Sequence, residues 1–419
     1  MRRSIVWLRR YPNVAWALFV ALACFGIGFA TGFWLLFRLA YVILLVIPLV
    51  YLWTRSMINA LEVEVHRYTQ RVSQGQSLDG RIVLTSTSRI PKVWLEVRDE
   101  ANVPGHMPHR VITLGARGSQ SWHYETPTLR RGVYQLGPVV VTASDPFGFF
   151  RFTRTFGGTT PVLVYPSAPE LPNFYIPPAN LPGDGRFRRR THNITPNVAG
   201  LRAYEPGDSY NRIHWPATAR TGNLMVKLFE LDPASDIWVV LDLERAVHVG
   251  EGDDGTEEAA VKICASIARY FLAANRTVGF MSFGDDLRIN EADRGANHYT
   301  RILESLAVAR ASGDVSLAKL LLEESRRFGR HTTVVAITPS TASEWPLTLM
   351  GLQSRGVKVA AVLLEAETFG ASASSLDVYG TLAAGGIYTY TVKSSDDLGN
   401  VLAAGADVAA LDPRSGGRR

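Results

Sequence analysis

Ile237-Trp238-Val239-Val240-Leu241 is an unbroken apolar run that ends on an acid, Asp242. A strand wetted on one face alternates apolar and polar residues, so a continuous run fits a strand covered on both faces. The chain beyond it keeps this character. Glu257 to Ala273 carries apolar residues at helical spacing, and Val278-Gly279-Phe280-Met281 is a second short apolar run. Tyr299 to Val308 and Ser316 to Phe328 return to the helical period, while Thr333-Val334-Val335-Ala336-Ile337 and Val357 to Leu364 read as further buried strands. Strands alternating with helices predict an α/β domain with a doubly wound parallel sheet over residues 233–408. The polar tail at 409–419, with its Gly and Arg residues, is expected to be disordered.

Upstream the pattern changes twice. Residues 168–232 read as a connector, because Pro161, Pro166, Pro169, Pro172, Pro177, Pro178 and Pro182 crowd its approach and first part. Each lacks a backbone donor and fixes its own φ. Residues 57–167 read as β throughout. Leu61, Val63 and Val65 alternate with Glu62, Glu64 and His66, and Val93, Leu95 and Val97 alternate with Trp94, Glu96 and Arg98. Gly75, Gly80, Gly115, Gly118, Gly132 and Gly137 punctuate the runs, and short strands at this spacing suggest an immunoglobulin-like sandwich.

Residues 1–56 read as a transmembrane hairpin. Tyr11 to Phe37 is free of charge, Arg38 follows, and Leu39 to Thr54 is again uncharged. As one helix, Val14 to Trp53 would be about 60 Å long at 1.5 Å per residue. The hydrocarbon core is only about 30 Å thick, so two helices turning near Thr31-Gly32 fit better. Arg2, Arg3, Arg9 and Arg10 precede the first helix, Arg55 and Arg67 follow the second, and the turn side offers only Arg38. The positive-inside rule then puts both ends, and the soluble domains, on the cytoplasmic side of a cell membrane. A cleaved signal peptide shares the first features, but the second apolar segment argues for retention.

Composition narrows the function. Of the 419 residues, 47% are hydrophobic and 20% charged, which favours globular domains over disorder. The only cysteines are Cys24, inside the apolar run, and Cys264, so neither a disulfide framework nor a thiolate metal site is expected. A formal charge of +6 could suit nucleic acid, but basic residues flanking an apolar segment usually set topology, and no nucleic-acid partner is expected. Arg186, Arg188, Arg189 and Arg190 flank Phe187; this reads as a solvated basic loop or a contact for anionic headgroups.

The most specific segment is Leu201 to Glu230. Arg202, Tyr204, Gly207, Asp208, Arg212, Trp215, Ala219 and Arg220 stand at spacings that resemble the signature of the bacterial and archaeal family known as domain of unknown function number fifty-eight. His214 stands where an Asp is expected, and Thr218 where a Ser is usual. Arg130-Arg131-Gly132-Val133-Tyr134, Leu136-Gly137-Pro138, Asp145-Pro146-Phe147-Gly148 and the apolar helix pair are similar to the same family. The resemblance implies a von Willebrand factor A-like C-terminal domain and a partner among the AAA+ ATPases of MoxR type. It implies no known reaction. Within the signature, Glu205-Pro206-Gly207-Asp208 is a turn sequence, the arginines offer forked donors, and Trp215 offers a stacking face. The segment is either a recognition site for an acidic partner surface or an Asp–Arg lock holding the connector to the C-terminal domain.

Domains of the A type often hold magnesium through Asp-x-Ser-x-Ser after the first strand. The equivalent run is Asp242-Leu243-Glu244-Arg245-Ala246: Asp242 is present, but Glu244 and Ala246 replace the serines. Thr338-Pro339-Ser340 ends the later strand without an acid, and Asp314 and Ser316 remain as oxygen donors. Ligand count decides affinity for such hard cations, so a metal-free protein-binding fold is the expectation, with Asp242, Asp314 and Ser316 the candidates if magnesium binds. No Gly-x-Ser-x-Gly elbow, Walker A loop, Gly-x-Gly-x-x-Gly or His-Glu-x-x-His run occurs. His106 and His109 form a lone pair without further ligands, and Asp253-Asp254 and Asp285-Asp286 read as solvated. No catalytic residue or cofactor is therefore expected. The chain reads as a non-enzymatic, membrane-anchored adaptor or scaffold for an AAA+ ATPase and a client protein; a metal-dependent A-type receptor and a cell-envelope enzyme are the alternatives.

Overall fold

The computed structural model describes residues 11–172, 174, 198–205, 210, 213–229, 236–250 and 252–402. The chain divides into two compact units, Met1–Ser167 and Ala168–Arg419.

The first unit opens with two helices, α1 (Pro12–Thr31) and α2 (Trp34–Ile58), packed side by side. Gly32, at φ +69°, closes α1 by donating to Gly28 O at 2.9 Å, the left-handed stop that glycine adopts without strain. Both helices are long and apolar enough to cross a membrane, and their side chains stay largely uncovered: Leu22, Phe29 and Leu45 are exposed. Then come β1 (Leu61–Arg67), β2 (Arg71–Ser73), β3 (Ser77–Ser86), β4 (Lys92–Ala101), β5 (His109–Leu114), β6 (Ser119–Pro127), β7 (Gly132–Ser144), β8 (Arg151–Phe156) and β9 (Thr160–Tyr165). They form a sheet in the order β1-β3-β6 and another in the order β2-β9-β7-β4-β5, with β8 also on β7. Leu61, Ile82, Leu84 and Trp122 from the first sheet meet Leu95, Val97, Val139 and Val141 from the second in one core. Met57 and Ile58, the last turn of α2, belong to that core.

In β4 the alternation read from the sequence holds, with Leu95 and Val97 buried and Trp94 and Arg98 exposed, but a bulge at its start buries Lys92. The register shifts between Lys92 and Leu95, Trp94 takes φ +53° and is exposed, and Val93 is only partly covered. This bulge inserts a residue out of phase. Beyond it Leu95, Val97 and Asp99 all face inward. Asp99 is buried, and Arg67 Nη2 of the opposite sheet reaches its Oδ1 at 3.0 Å.

The second unit contains a two-stranded antiparallel sheet, β10 (Val198–Ala203) and β11 (Met225–Phe229), with α3 (Trp215–Thr221) between them. It continues with β12 (Asp236–Leu241), α4 (Thr256–Ala273), β13 (Val278–Phe283), β14 (Leu287–Asp293), α5 (Ala296–Ala307), α6 (Leu317–Glu323), β15 (Thr332–Thr338), α7 (Glu344–Ser354), β16 (Lys358–Leu364), α8 (Leu376–Ala384), β17 (Tyr388–Val392) and α9 (Leu398–Val401). The six strands lie in the order β14-β13-β12-β15-β16-β17. The expectation of an all-parallel sheet is corrected at one edge: β14 runs antiparallel to β13. Only residues 284–286 join the two strands, too few for a crossover, so a hairpin is the sole connection available. The helix expected from Ser316 to Phe328 also ends early, at Glu323; a short 3-10 turn follows and Phe328 turns into the core.

Trp238 and Val240 pack with α6, α7 and α8 on one face of the sheet. Gly279, beside Trp238 in the neighbouring strand, leaves room for the indole; a Cβ there would lie 2.7 Å from the ring. On α4 the apolar stripe Val261, Ile263, Cys264, Ile267 and Ala268 is buried, and the helix packs against β12, β13 and β15. Part of the stretch read as a connector joins this unit: Phe174 is buried, with its ring 5.0 Å from Tyr390 and 5.9 Å from Phe271.

Candidate functional site

The signature builds a small hairpin. On β10, Arg202 donates to Ala203 O at 3.0 Å and lies 3.8 Å from Glu205. Tyr204 N donates to Leu224 O at 2.8 Å, and its ring stacks on Tyr210 at 5.8 Å. His214 caps α3: its Nδ1 accepts from Ala217 N at 3.1 Å. An imidazole lone pair therefore does here what the side-chain oxygen of Ser, Thr, Asn or Asp commonly does at a helix start. Thr218 Oγ1 accepts from Met225 N at 3.0 Å, which ties α3 to β11; a serine could make the same bond. Ile213 and Val226 pair through their backbones and are buried. The inner side of the hairpin is thus satisfied by its own groups. Its outer side carries Tyr210 at 71% exposure, Trp215 at 65% and an exposed Arg220 in the last turn of α3. Gly207, Asp208 and Arg212 lie outside the described residues, as do the Arg186–Arg190 cluster, the arginines before Tyr11 and the tail at 409–419.

A second polar cluster lies at the carboxyl edge of the large sheet. β12 and β15 are neighbours whose outgoing connections run to opposite sides, the switch point where such sheets usually hold ligands. Asp242 follows β12 and is 2% exposed. Its Oδ2 accepts from the Thr338 hydroxyl at 2.6 Å, and its Oδ1 from Glu244 N at 3.0 Å. Burial pushes its carboxyl up to about 6, although both of these donors pull the other way. Glu244 is also raised, first by burial and then by the charge of Glu344. His248 Nε2 meets Asp242 O at 2.9 Å, and its Nδ1 meets Thr256 Oγ1 at 3.1 Å.

The extension of β12 pairs with the segment before α6, since Arg245 N donates to Gly313 O at 2.8 Å and Gly313 N to Leu243 O at 3.0 Å. This brings the run 242–246 beside the segment carrying Asp314 and Ser316. Asp314 is exposed there, while Ser316 caps α6 by accepting from Lys319 N. Among the described residues, no three His, Cys, Asp or Glu side chains are grouped to hold a metal ion. Sequence reasoning missed Thr338 and His248 as partners of Asp242. Thr338 had a readable signal, its place at the end of the strand beside β12; His248 had none.

The remaining candidates disperse. His106 is buried, with Nδ1 2.7 Å from Thr126 Oγ1 and Nε2 3.5 Å from Asp99. His109 is exposed and meets Glu96 at 3.0 Å, so the two imidazoles serve different networks. Asp253 and Asp254 sit in a short turn, and Asp286 pairs with Arg288 at 3.0 Å.

Known proteins resemble parts of this chain. "Uncharacterized protein YeaD" of Bacillus subtilis is 23% identical over 260 residues, 60% of this chain and 63% of that protein. "Uncharacterized protein Rv1480" of Mycobacterium tuberculosis is 28% identical over 125 residues, 28% of this chain and 39% of that protein. The chain thus spans less than two thirds of the length of either. Among solved structures, the CARDB domain of the PF1109 protein from Pyrococcus furiosus is 15% identical and covers 25% of this chain and 91% of its own, with a TM-score of 0.19 that supports no inference. Residues 200–367 match the profile of the family described as "Protein of unknown function DUF58", and the chain resembles that family through the segment that carries Arg202, Trp215 and Arg220.

Proposed function

We propose that this protein is a non-enzymatic adaptor, anchored in a membrane by α1 and α2, whose signature hairpin docks a protein partner. The observation that carries this reading is the exposure of Trp215, Tyr210 and Arg220 on a hairpin whose His214 and Thr218 side chains are bonded within it. Aromatic and arginine side chains are the commonest anchors of protein interfaces, and an exposed guanidinium fits an acidic partner surface. The family resemblance makes a MoxR-type AAA+ ATPase the expected partner, with a client protein brought to the same platform. The arginines flanking the apolar helices favour a cytoplasmic location for both units. The test is a pull-down from detergent-solubilised membranes with the full chain and its Trp215→Ala/Arg220→Ala variant. Recovery of an AAA+ ATPase by the first and its loss with the second is expected. Equal recovery by both would move the docking site elsewhere, and recovery by neither would remove the reading.

A second reading has a specific observation behind it. The strand order, with one antiparallel edge strand and Asp242 at the switch point, agrees with a von Willebrand factor A-like domain, which often binds protein through magnesium. Calorimetry of the full chain in detergent with magnesium discriminates. Heat of binding that disappears in Asp242→Ala supports it, and none at millimolar metal removes it.

A further inference from the structure

The turn between β7 and β8 is Asp145-Pro146-Phe147-Gly148-Phe149-Phe150, and neither reading above uses it. Its conformation is fixed from within. The buried Asp145 carboxylate accepts from three backbone donors: Phe147 N at 2.8 Å and Phe149 N at 3.2 Å on Oδ1, and Phe150 N at 2.5 Å on Oδ2. Gly148 takes φ +66°, and its carbonyl accepts from Asn13 Nδ2 of α1 at 2.8 Å. Phe150 is buried against Tyr11 and Tyr51, with ring centroids 5.4 and 5.2 Å away. The loop is therefore clamped to the end of the helix pair that joins the β sheets.

Of its other two rings, Phe149 is half-buried and packs beside Phe150, with ring centroids 6.4 Å apart. Phe147 is 60% exposed and stacks on Phe149 at 5.6 Å. Together they form one wall of an apolar groove of about 450 Å³, whose other wall includes Trp16, Val20, Ile43 and Val46 of the helices. Among the described residues, no charged side chain lines it. Val20 lies eight residues into α1, which is about 12 Å along the helix, so the groove covers roughly the first 10 Å of the hairpin. That is the depth at which aromatic belts sit in a bilayer.

We propose that the Phe147–Phe149 loop is a second membrane contact, an aromatic wedge seated in the headgroup–acyl boundary, with a phospholipid acyl chain filling the groove. This rests on the reading of α1 and α2 as membrane-spanning. The occupant follows from continuity, because the groove opens on the same helix surfaces that lipid would cover, and from the apolar character of its described lining.

The test uses the full chain carrying Cys24→Ala, with Cys264 left in place because it is fully buried. Nitroxide labels are placed singly at Phe147→Cys, at Leu22→Cys on α1 and at Met107→Cys, an exposed loop position of the same unit. The protein is reconstituted into phosphatidylcholine–phosphatidylglycerol vesicles, and collisions with oxygen and with a water-soluble nickel chelate are measured. The label at 147 should be several-fold less accessible to nickel than the label at 107, and shallower than the label at 22. If 147 is as accessible to nickel as 107 while 22 lies in lipid, the wedge is wrong and the anchor stands. If 22 is also in water, both ideas fall.

Discussion

The signature hairpin and the carboxyl edge of the sheet sit in the same unit, and both are rich in polar side chains. They spend them differently. The buried Asp242 is bonded by its own surroundings: the carboxylate accepts from Thr338 and Glu244, and His248 links its carbonyl to Thr256. At the hairpin His214 and Thr218 are turned inward as well, but Tyr210, Trp215 and Arg220 are left facing out. A buried carboxylate at a favoured ligand position can thus be occupied by its own fold, while a modest hairpin leaves two aromatic rings and a guanidinium exposed.

This contrast can be broken by measurement. The largest effect is expected from Asp242 as a function of pH. Its folded-state value of about 6 lies above the ordinary 3.8, so the protonated form stabilises the fold. That stability is fully present below about pH 4 and is lost as pH rises through 6, amounting to about 3 kcal/mol by pH 8. Denaturant titrations should show the wild type losing this amount between pH 4 and 8 relative to Asp242→Asn. Parallel curves for the two proteins would mean that the carboxylate is not desolvated. Next comes Thr338→Val, which leaves Oδ2 of a buried carboxylate without its donor; a loss of about 2 kcal/mol at pH 7 is expected from the same titrations.

The hairpin should respond more weakly. His214→Ala removes the cap of α3 and should cost about 1 kcal/mol, while His214→Asp should retain it. No loss of protection in His214→Ala, read by hydrogen exchange at Ala217 N, would show that the cap contributes nothing. The smallest stability change belongs to Trp215→Ala and Arg220→Ala, within about 0.5 kcal/mol because both side chains are exposed. A larger loss in the melting temperature would mean the pair is structural after all, and the contrast between the two regions would disappear.

Much of the second unit was readable from apolar runs. β12, β13, β15 and β16 are covered on both faces and have continuous hydrophobic sequences. β14 was not readable, because an edge strand such as Leu287-Arg-Ile-Asn-Glu-Ala-Asp293 needs no apolar continuity. The inward Lys92 was hidden by the bulge at Trp94, which no propensity announces. At the candidate sites the split is similar. The residue types of the signature were plain, but which of them turn outward depends on the pairing of β10 with β11. Asp242 was visible as the survivor of a metal motif; that Thr338, 96 residues away, takes one of its oxygens is a consequence of strand order alone.

The last turn of α2 is at once helix and sandwich core, through Met57 and Ile58, and the buried Lys92 donates to Ser56 O just before them. Mechanically this is a welded joint in place of a hinge. In a bilayer, helices that outrun the local hydrocarbon thickness respond by tilting. On the proposed reading of α1 and α2 as membrane-spanning, a joint of this stiffness converts that tilt into torque on the β sheets, so a change in bilayer thickness would rotate the sheets instead of merely moving their attachment point.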